Sequence, residues 1–315
     1  MRVSVVGAGG VGGMLAVRLA AAGTPVGVIA RGAHLAAMQD GPLVLQTPEE
    51  TVEAPATAAA DGAALVAAMG TPGPEDIVVF AVKGQDLDGA MEAAAPLMAG
   101  GAPVLPFLNG VEATARLDAR YGSGRSLIGI ARIGAHIGTP GRIMQTTPRA
   151  SYVIGLPDGS QDGAAAAVRR CFQNAGITVP DCEDVRLELW RKFSMLAPFA
   201  GTTAGARTDA VGVCATPALL DLYRALSEEV VALAAAEGVA LPADTTEQGI
   251  SMIGRFQPGV RSSMSHDLDV GKPIELDWLN GAVVRLSAAH GLAAPANAAV
   301  AALLTPFRDG PPKAA

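Results

Sequence analysis

At 315 residues the chain has length for one large domain or two ordinary ones and can bury a sizeable core. Half of it is hydrophobic and 17% is charged, which excludes a disordered chain, and a formal net charge of -7 leaves no basic footprint for nucleic acid. Small anions must then be caught by local positive groups.

Val3, Val5 and Val6 predict a short apolar strand, and Met14 to Ala22 a helix. Between them Gly7, Gly9 and Gly12 stand in the spacing G-x-G-x-x-G. Gly7 lets the strand turn sharply, Gly9 lets the backbone approach phosphates without a Cβ in the way, and Gly12 lets the helix pack close to the strand. Amides and dipole at the helix N-terminus then attract an anion. With a strand before and a helix after, Gly7, Ala8, Gly9, Gly10, Val11 and Gly12 are expected to bind the pyrophosphate of a dinucleotide.

Pro25 to Ala30 reads as a second strand parallel to the first, ending at Arg31-Gly32. Folds that bind NAD normally place an Asp or Glu there for the ribose 2'-hydroxyl, yet no carboxylate occurs before Asp40. A guanidinium at Arg31 attracts a 2'-phosphate instead, so NADP(H) is the expected cofactor; the plain alternative is an arginine solvated at a loop.

Asp76 to Lys83 is an almost unbroken apolar run, as in a strand covered on both faces, and is followed by a helix. Ala102 to Leu108 predicts the next strand, ending at Asn109-Gly110. Both polar endings, Lys83 and Asn109, are expected at the carboxyl edge of one parallel sheet, where open α/β sheets bind ligands. Strands over Leu127 to Ile130, Arg142 to Gln145 and Tyr152 to Leu156, a helix over Ala164 to Asn174 and a strand around Ile177 to Val179 complete a first domain, residues 1–183. From residue 184 the pattern is helical: Val185 to Pro198, Pro217 to Glu237, Thr245 to Phe256, Ser262 to Val270, Glu275 to His290 and Pro295 to Leu303. The expected fold is an α/β N-terminal Rossmann-type dinucleotide-binding domain followed by an all-α C-terminal domain, residues 184–315, with the substrate in their groove beside the nicotinamide. The tail after Thr305, through Pro306, Pro311 and Pro312, reads as a loose surface segment.

The charge-free run from Ala93 to Val111 contains Pro96, Pro103 and Pro106, so no membrane span is expected there. The N-terminus has the apolar run of a signal peptide, but its glycines serve the nucleotide turn and the strand begins at Arg2. Cys171, Cys182 and Cys214 are odd in number and lack metal-ligand spacing, as in a reduced cytoplasmic protein. His34, His136, His266 and His290 are scattered, so no metal site is expected; His266 reads as a helix-surface histidine.

Lys83, Lys192, Lys272 and Lys313 are the only lysines among 23 basic residues. Lys192 follows Glu188 by four residues, the order of a helix-surface ion pair. It also heads a stripe through Met195, Leu196 and Phe199, all apolar, and a lysine so placed can serve as an acid. Both readings stand on the residues alone. Glu275 and Asp277 suit the first turn of a helix, and the hydroxyls of Ser262, Ser263 and Ser265 suit either a cap or a carboxylate site.

The glycine turn, Lys83 behind a strand, Leu108-Asn109-Gly110, Leu189-Trp190-Arg191-Lys192, Ser262-Ser263-Met264 and Glu275-Leu276-Asp277-Trp278-Leu279-Asn280-Gly281 occur in one order, and in it the chain resembles ketopantoate reductases (2-dehydropantoate 2-reductases) from Arg2 to about Pro306. The resemblance implies NADPH-dependent reduction of a small 2-oxo acid to a 2-hydroxy acid, ketopantoate to pantoate in pantothenate biosynthesis. It implies the glycine turn on the pyrophosphate, Arg31 on the 2'-phosphate, and Lys83 and Asn109 lining the cofactor and reaction site. It further implies Lys192 as general acid toward the ketone oxygen, Ser263 on the substrate carboxylate, and Glu275 on a substrate hydroxyl and the active-site network.

The chain departs from the family pattern at Leu196 and Ala200, four and eight residues after the lysine, where the family usually presents asparagines. Each lost hydrogen bond to a neutral group is worth about 0.5–1.5 kcal/mol, so two allow roughly a ten- to hundredfold loss in kcat/KM. The same chemistry on a more apolar 2-oxo acid or ketone is therefore the alternative expectation, and an NADP-binding sensor without turnover a third. The apolar helices could bury against one another or against a second copy in a homodimer.

Overall fold

Val3–Val6 (β1) is buried at every residue because it has a parallel neighbour on each side and is covered on both faces. The computed structural model describes residues 1–160 and 163–311; Pro312 and Lys313 of the expected tail lie outside the described residues. The chain divides into two units, one of Met1–Leu108 with Glu112–Val185, the other of Asn109–Val111 with Arg186 onward.

In the first unit β1 is followed by α1 (Gly10–Ala21), β2 (Val26–Ile29), α2 (Gly32–Asp40), β3 (Leu43–Gln46), β4 (Thr51–Ala54), β5 (Thr57–Ala59), α3 (Gly62–Met69) and β6 (Ile77–Phe80). Then come α4 (Leu87–Ala94), β7 (Val104–Pro106), α5 (Ala113–Tyr121), β8 (Ile128–Arg132), β9 (Ala135–Thr139), β10 (Arg142–Gln145), β11 (Ser151–Gly155) and α6 (Gly163–Asn174). The parallel sheet has the order β5-β2-β1-β6-β7. Its strand order reverses at β1, so the crevice outside the ends of β1 and β6 is the switch point where such sheets take ligands. A second sheet, β4-β3-β10-β9, and a pair, β11-β8, complete this Rossmann-type unit. Tyr152 on β11 packs edge-on to Phe107 and Phe172, and its hydroxyl donates to Met14 Sδ at 3.2 Å, tying β11 to α1.

The expected strands match these positions with one exception. Residues Ile177 to Val179 do not pair as a strand: Thr178 accepts one bond from the Tyr152 amide at 2.9 Å, and Ile177 and Val179 bury in the core. Their apolar, β-branched character is satisfied by burial alone. Helix α1 begins at Gly10 rather than Met14; its first turn holds Gly10, Gly12 and Gly13, weak helix formers that give no helical signal in the sequence.

The second unit is helical: α7 (Val185–Gly205), α8 (Ala210–Ala215), α9 (Pro217–Ala236), α10 (Thr245–Ile253), α11 (Ser263–Asp269), α12 (Asn280–Ala289) and α13 (Pro295–Leu304). Trp190, Phe193, Ala197, Leu226, Val230, Leu279 and Val283 are among the residues of its core. Helix α7 runs through Pro198 instead of stopping there. Proline lacks the amide that would bond the carbonyl of Ser194, and the Ser227 hydroxyl of α9 donates to that oxygen at 3.1 Å instead. The helix expected over Glu275 to His290 is broken at Leu279 into a 3-10 turn, Leu276–Trp278, and α12. At the start of α13 the Glu229 carboxylate accepts from the amides of Ala296 at 2.7 Å and Asn297 at 2.9 Å, so α9 caps its neighbour.

Candidate active site

The turn after β1 has the geometry its glycines require. Gly7 has φ +98°, and a Cβ there would lie 2.9 Å from the Ala81 carbonyl oxygen. A Cβ on Gly12 would meet the Gly7 oxygen at 2.0 Å, which is how closely α1 sits on β1. A Cβ on Gly9 would meet nothing within 4 Å, so the turn is open there, as the approach of a phosphate would require. Gly9 is also the N-cap of α1 and gives its first turn no side-chain cap. Gly7 to Gly12 thus form a cradle that fits a dinucleotide pyrophosphate.

Arg31 is exposed at the N-cap of α2, directly behind β2. Lys83 lies behind β6 at the head of a short 3-10 turn, its carbonyl accepting the Asp86 amide at 2.9 Å. Both therefore stand at the carboxyl edge of the sheet that carries the glycine turn.

The second unit brings three other residues together. Lys192 on α7 donates from Nζ to Asn109 Oδ1 at 3.2 Å, and Asn109 Nδ2 donates to Glu275 Oε2 at 3.2 Å. Gly110 makes this possible: its φ is +89°, and a Cβ would lie 2.8 Å from the Trp278 carbonyl, so Asn109–Val111 can lie against the turn that carries Glu275. Glu275 is 2% exposed, whereas Asp277 two residues on is exposed. A solvated first-turn carboxylate describes Asp277 and not Glu275. Glu188 pairs with Arg191, while Lys192 reaches Asn109.

The serines divide by role. Ser262 is buried and caps α11, accepting from the Ser265 amide at 3.1 Å and bonding Thr203 Oγ1 at 2.8 Å. Ser265 is buried and donates to the Thr203 carbonyl at 3.2 Å. Ser263 is exposed on the first turn of α11, the member of the three able to meet a ligand. Leu196 is partly buried against the core and Ala200 is fully buried within it. His266 is exposed on its helix. Among the described residues no cluster of three or more His, Cys, Asp or Glu side chains could hold a metal ion, and no helix is long and apolar enough to cross a membrane.

One polar residue at the glycine turn was not singled out by the sequence. His34 on α2 bonds the Ala8 carbonyl at 2.8 Å and accepts from the Gly141 amide at 2.9 Å. Its partners lie 26 and 107 residues away, so no local spacing marks it.

A parallel sheet with a glycine cradle at its switch point, and a helical unit that carries a lysine held to a buried carboxylate through an asparagine, fit the class of dinucleotide-dependent oxidoreductases. The family described as "Ketopantoate reductase PanE/ApbA" matches residues 3–159, and its C-terminal counterpart matches 184–307. The chain is 31% identical to a 2-dehydropantoate 2-reductase of Caulobacter vibrioides, over 96% of this chain and 97% of that one. A crystal structure of a PanE/ApbA family ketopantoate reductase from Ralstonia eutropha superposes with a TM-score of 0.87 at 30% identity, covering 98% of each chain. D-mandelate dehydrogenase, solved with NADH and anilino(oxo)acetate, shares the fold at a TM-score of 0.86 and 19% identity, again covering 98% of each chain. The chain belongs to the ketopantoate reductase family.

Proposed function

We propose that this protein reduces ketopantoate to pantoate with NADPH. The observation that carries the reading is the hydrogen-bonded run from Lys192 through Asn109 to the buried Glu275. Bound NADPH supplies the hydride. Lys192 presents an N–H to the ketone oxygen, which gains negative charge as its carbon is reduced, and gives it the proton that completes the hydroxyl. Asn109 is the positioning group for that ammonium. Glu275, whose ionised carboxylate can accept but not donate, takes a bond from the Asn109 NH2 and so turns Oδ1 toward Lys192. Ser263 holds the substrate carboxylate, Lys83 and Asn109 border the cofactor, and Arg31 binds the 2'-phosphate that NADH lacks. A sensor that only bound the nucleotide would need none of the run that ends at Lys192.

A second reading keeps this chemistry and changes the substrate. Leu196 stands one turn beyond Lys192 and Ala200 two turns beyond, and neither side chain can bond a substrate hydroxyl. The test is NADPH oxidation by the purified protein with ketopantoate and with bulkier 2-oxo acids that lack the hydroxyl. The proposal expects ketopantoate to have the highest kcat/KM. A hydroxyl-free acid at least about tenfold better, the discrimination that roughly 1.4 kcal/mol provides, would establish the second reading.

A further inference from the structure

The nucleotide turn is held from outside its own sheet. The β9–β10 hairpin belongs to the second sheet, yet a Cβ on Gly10 would lie 2.1 Å from the Ala135 carbonyl oxygen, so β9 lies directly on the first turn of α1. At the hairpin's tip Gly141 has φ +78°, and a Cβ there would be 3.1 Å from Ala37 Cβ on α2. His34 joins these parts, with the Gly141 amide donating to Nδ1 at 2.9 Å and Nε2 lying 2.8 Å from the Ala8 oxygen. Because Nδ1 accepts, the ring proton is on Nε2, and Nε2–H donates to Ala8. Both ring nitrogens are thus used by one neutral tautomer.

The Ala8 carbonyl belongs to the peptide that leads into Gly9, and in a trans peptide the C=O and the following N–H point in opposite directions. Gly9 has no Cβ and a wide choice of backbone angles, so something other than its own sterics must fix that plane. We propose that His34 is a positioning residue for the dinucleotide pyrophosphate: by holding the Ala8 oxygen it sets the Ala8–Gly9 peptide and turns the Gly9 amide to the side away from His34. The inference rests on the glycine turn being the dinucleotide site.

The side-chain replacements separate the two bonds. His34→Gln places an amide N–H where Nε2 was and can still donate to Ala8, whereas His34→Asn offers an acceptor near the Nδ1 position and is too short to reach Ala8. Equilibrium binding of NADPH, NADH and adenosine 2'-monophosphate to wild type, His34→Gln, His34→Asn and His34→Ala, with the melting temperature of each, tests the proposal. The Asn and Ala variants are expected to bind both dinucleotides about five- to tenfold more weakly, the effect of one lost hydrogen bond, with the NADPH/NADH ratio unchanged. The Gln variant should stay within about twofold of wild type, a change smaller than that loss. The affinity for adenosine 2'-monophosphate, which has no pyrophosphate, should not change in any of them. Wild-type dinucleotide binding by the Asn variant, or equal weakening of the monophosphate, would overturn the role of His34. If His34→Ala does not fold, the Asn and Gln pair decides alone. A wild-type protein that binds neither dinucleotide would overturn the nucleotide site itself.

Discussion

At the scale of single residues, identity matters only with position. Two carboxylates two residues apart, Glu275 and Asp277, look equivalent in the sequence, yet one is buried and bonded to Asn109 and the other is exposed. Arg31 has a comparable double reading, settled by cofactor choice. In the NADPH reading its guanidinium faces a 2'-phosphate, and a hydrogen bond to a charged group is worth about 1.5–3 kcal/mol. Arg31→Glu is therefore expected to raise the dissociation constant for NADPH by roughly ten- to a hundredfold and that for NADH by less than about threefold, measured by nucleotide titration. An unchanged NADPH/NADH ratio would place the 2'-phosphate elsewhere. Ser263 could not be told from Ser262 by spacing; burial separates the capping serine from the exposed one.

At the scale of elements, the sequence was legible where one physical signal dominates. An unbroken apolar run gives β6, and a run of valines interrupted only by Ser4 gives β1, because both faces of a parallel strand are covered. The glycine spacing gives the turn, since close packing tolerates no Cβ at Gly12. Elsewhere a distant partner overrode the local signal. Pro198 does not end α7 because Ser227, on another helix, satisfies the carbonyl that the proline leaves. Ile177 and Val179 look like strand residues and are simply buried.

The edge where β6 begins supplies a pH-dependent example. Burial would raise the Asp76 carboxyl, but the Arg2 guanidinium and the amides of Gly73 and Arg2 bond it and hold it below the ordinary aspartate value. A pKa lowered by folding means that the ionised form stabilises the fold, in full above the unfolded value near about 3.9 and progressively less as pH falls through the folded value. Asp76→Asn should lower the melting temperature of the first unit at pH 7 by about 2–4 °C, as a loss near 1 kcal/mol does in a cooperative unit of roughly 150–250 residues. The gap from wild type should begin to narrow below about pH 4 and close progressively as the pH falls further, through the folded value. A gap that is the same at both pH values would remove the carboxylate from the account.

At the scale of the whole molecule, the fold class could be read from the order of apolar runs and helices, while the candidate site could not be assembled from spacing. Asn109 lies 83 residues from Lys192 and 166 from Glu275 in sequence, and the resemblance to a family, not periodicity, first put the three together. The structure supplies the physical link, a buried carboxylate orienting a carboxamide that holds an ammonium. The central claim is that this ammonium is the proton donor of a 2-oxo acid reduction. It is tested most directly by single-turnover and steady-state NADPH oxidation with ketopantoate by Lys192→Met beside the wild type. A fall in kcat of about 10²- to 10⁴-fold is expected, the range for loss of a general acid, with the NADPH dissociation constant within about twofold. A Lys192→Met protein that turns over ketopantoate at the wild-type rate would contradict it.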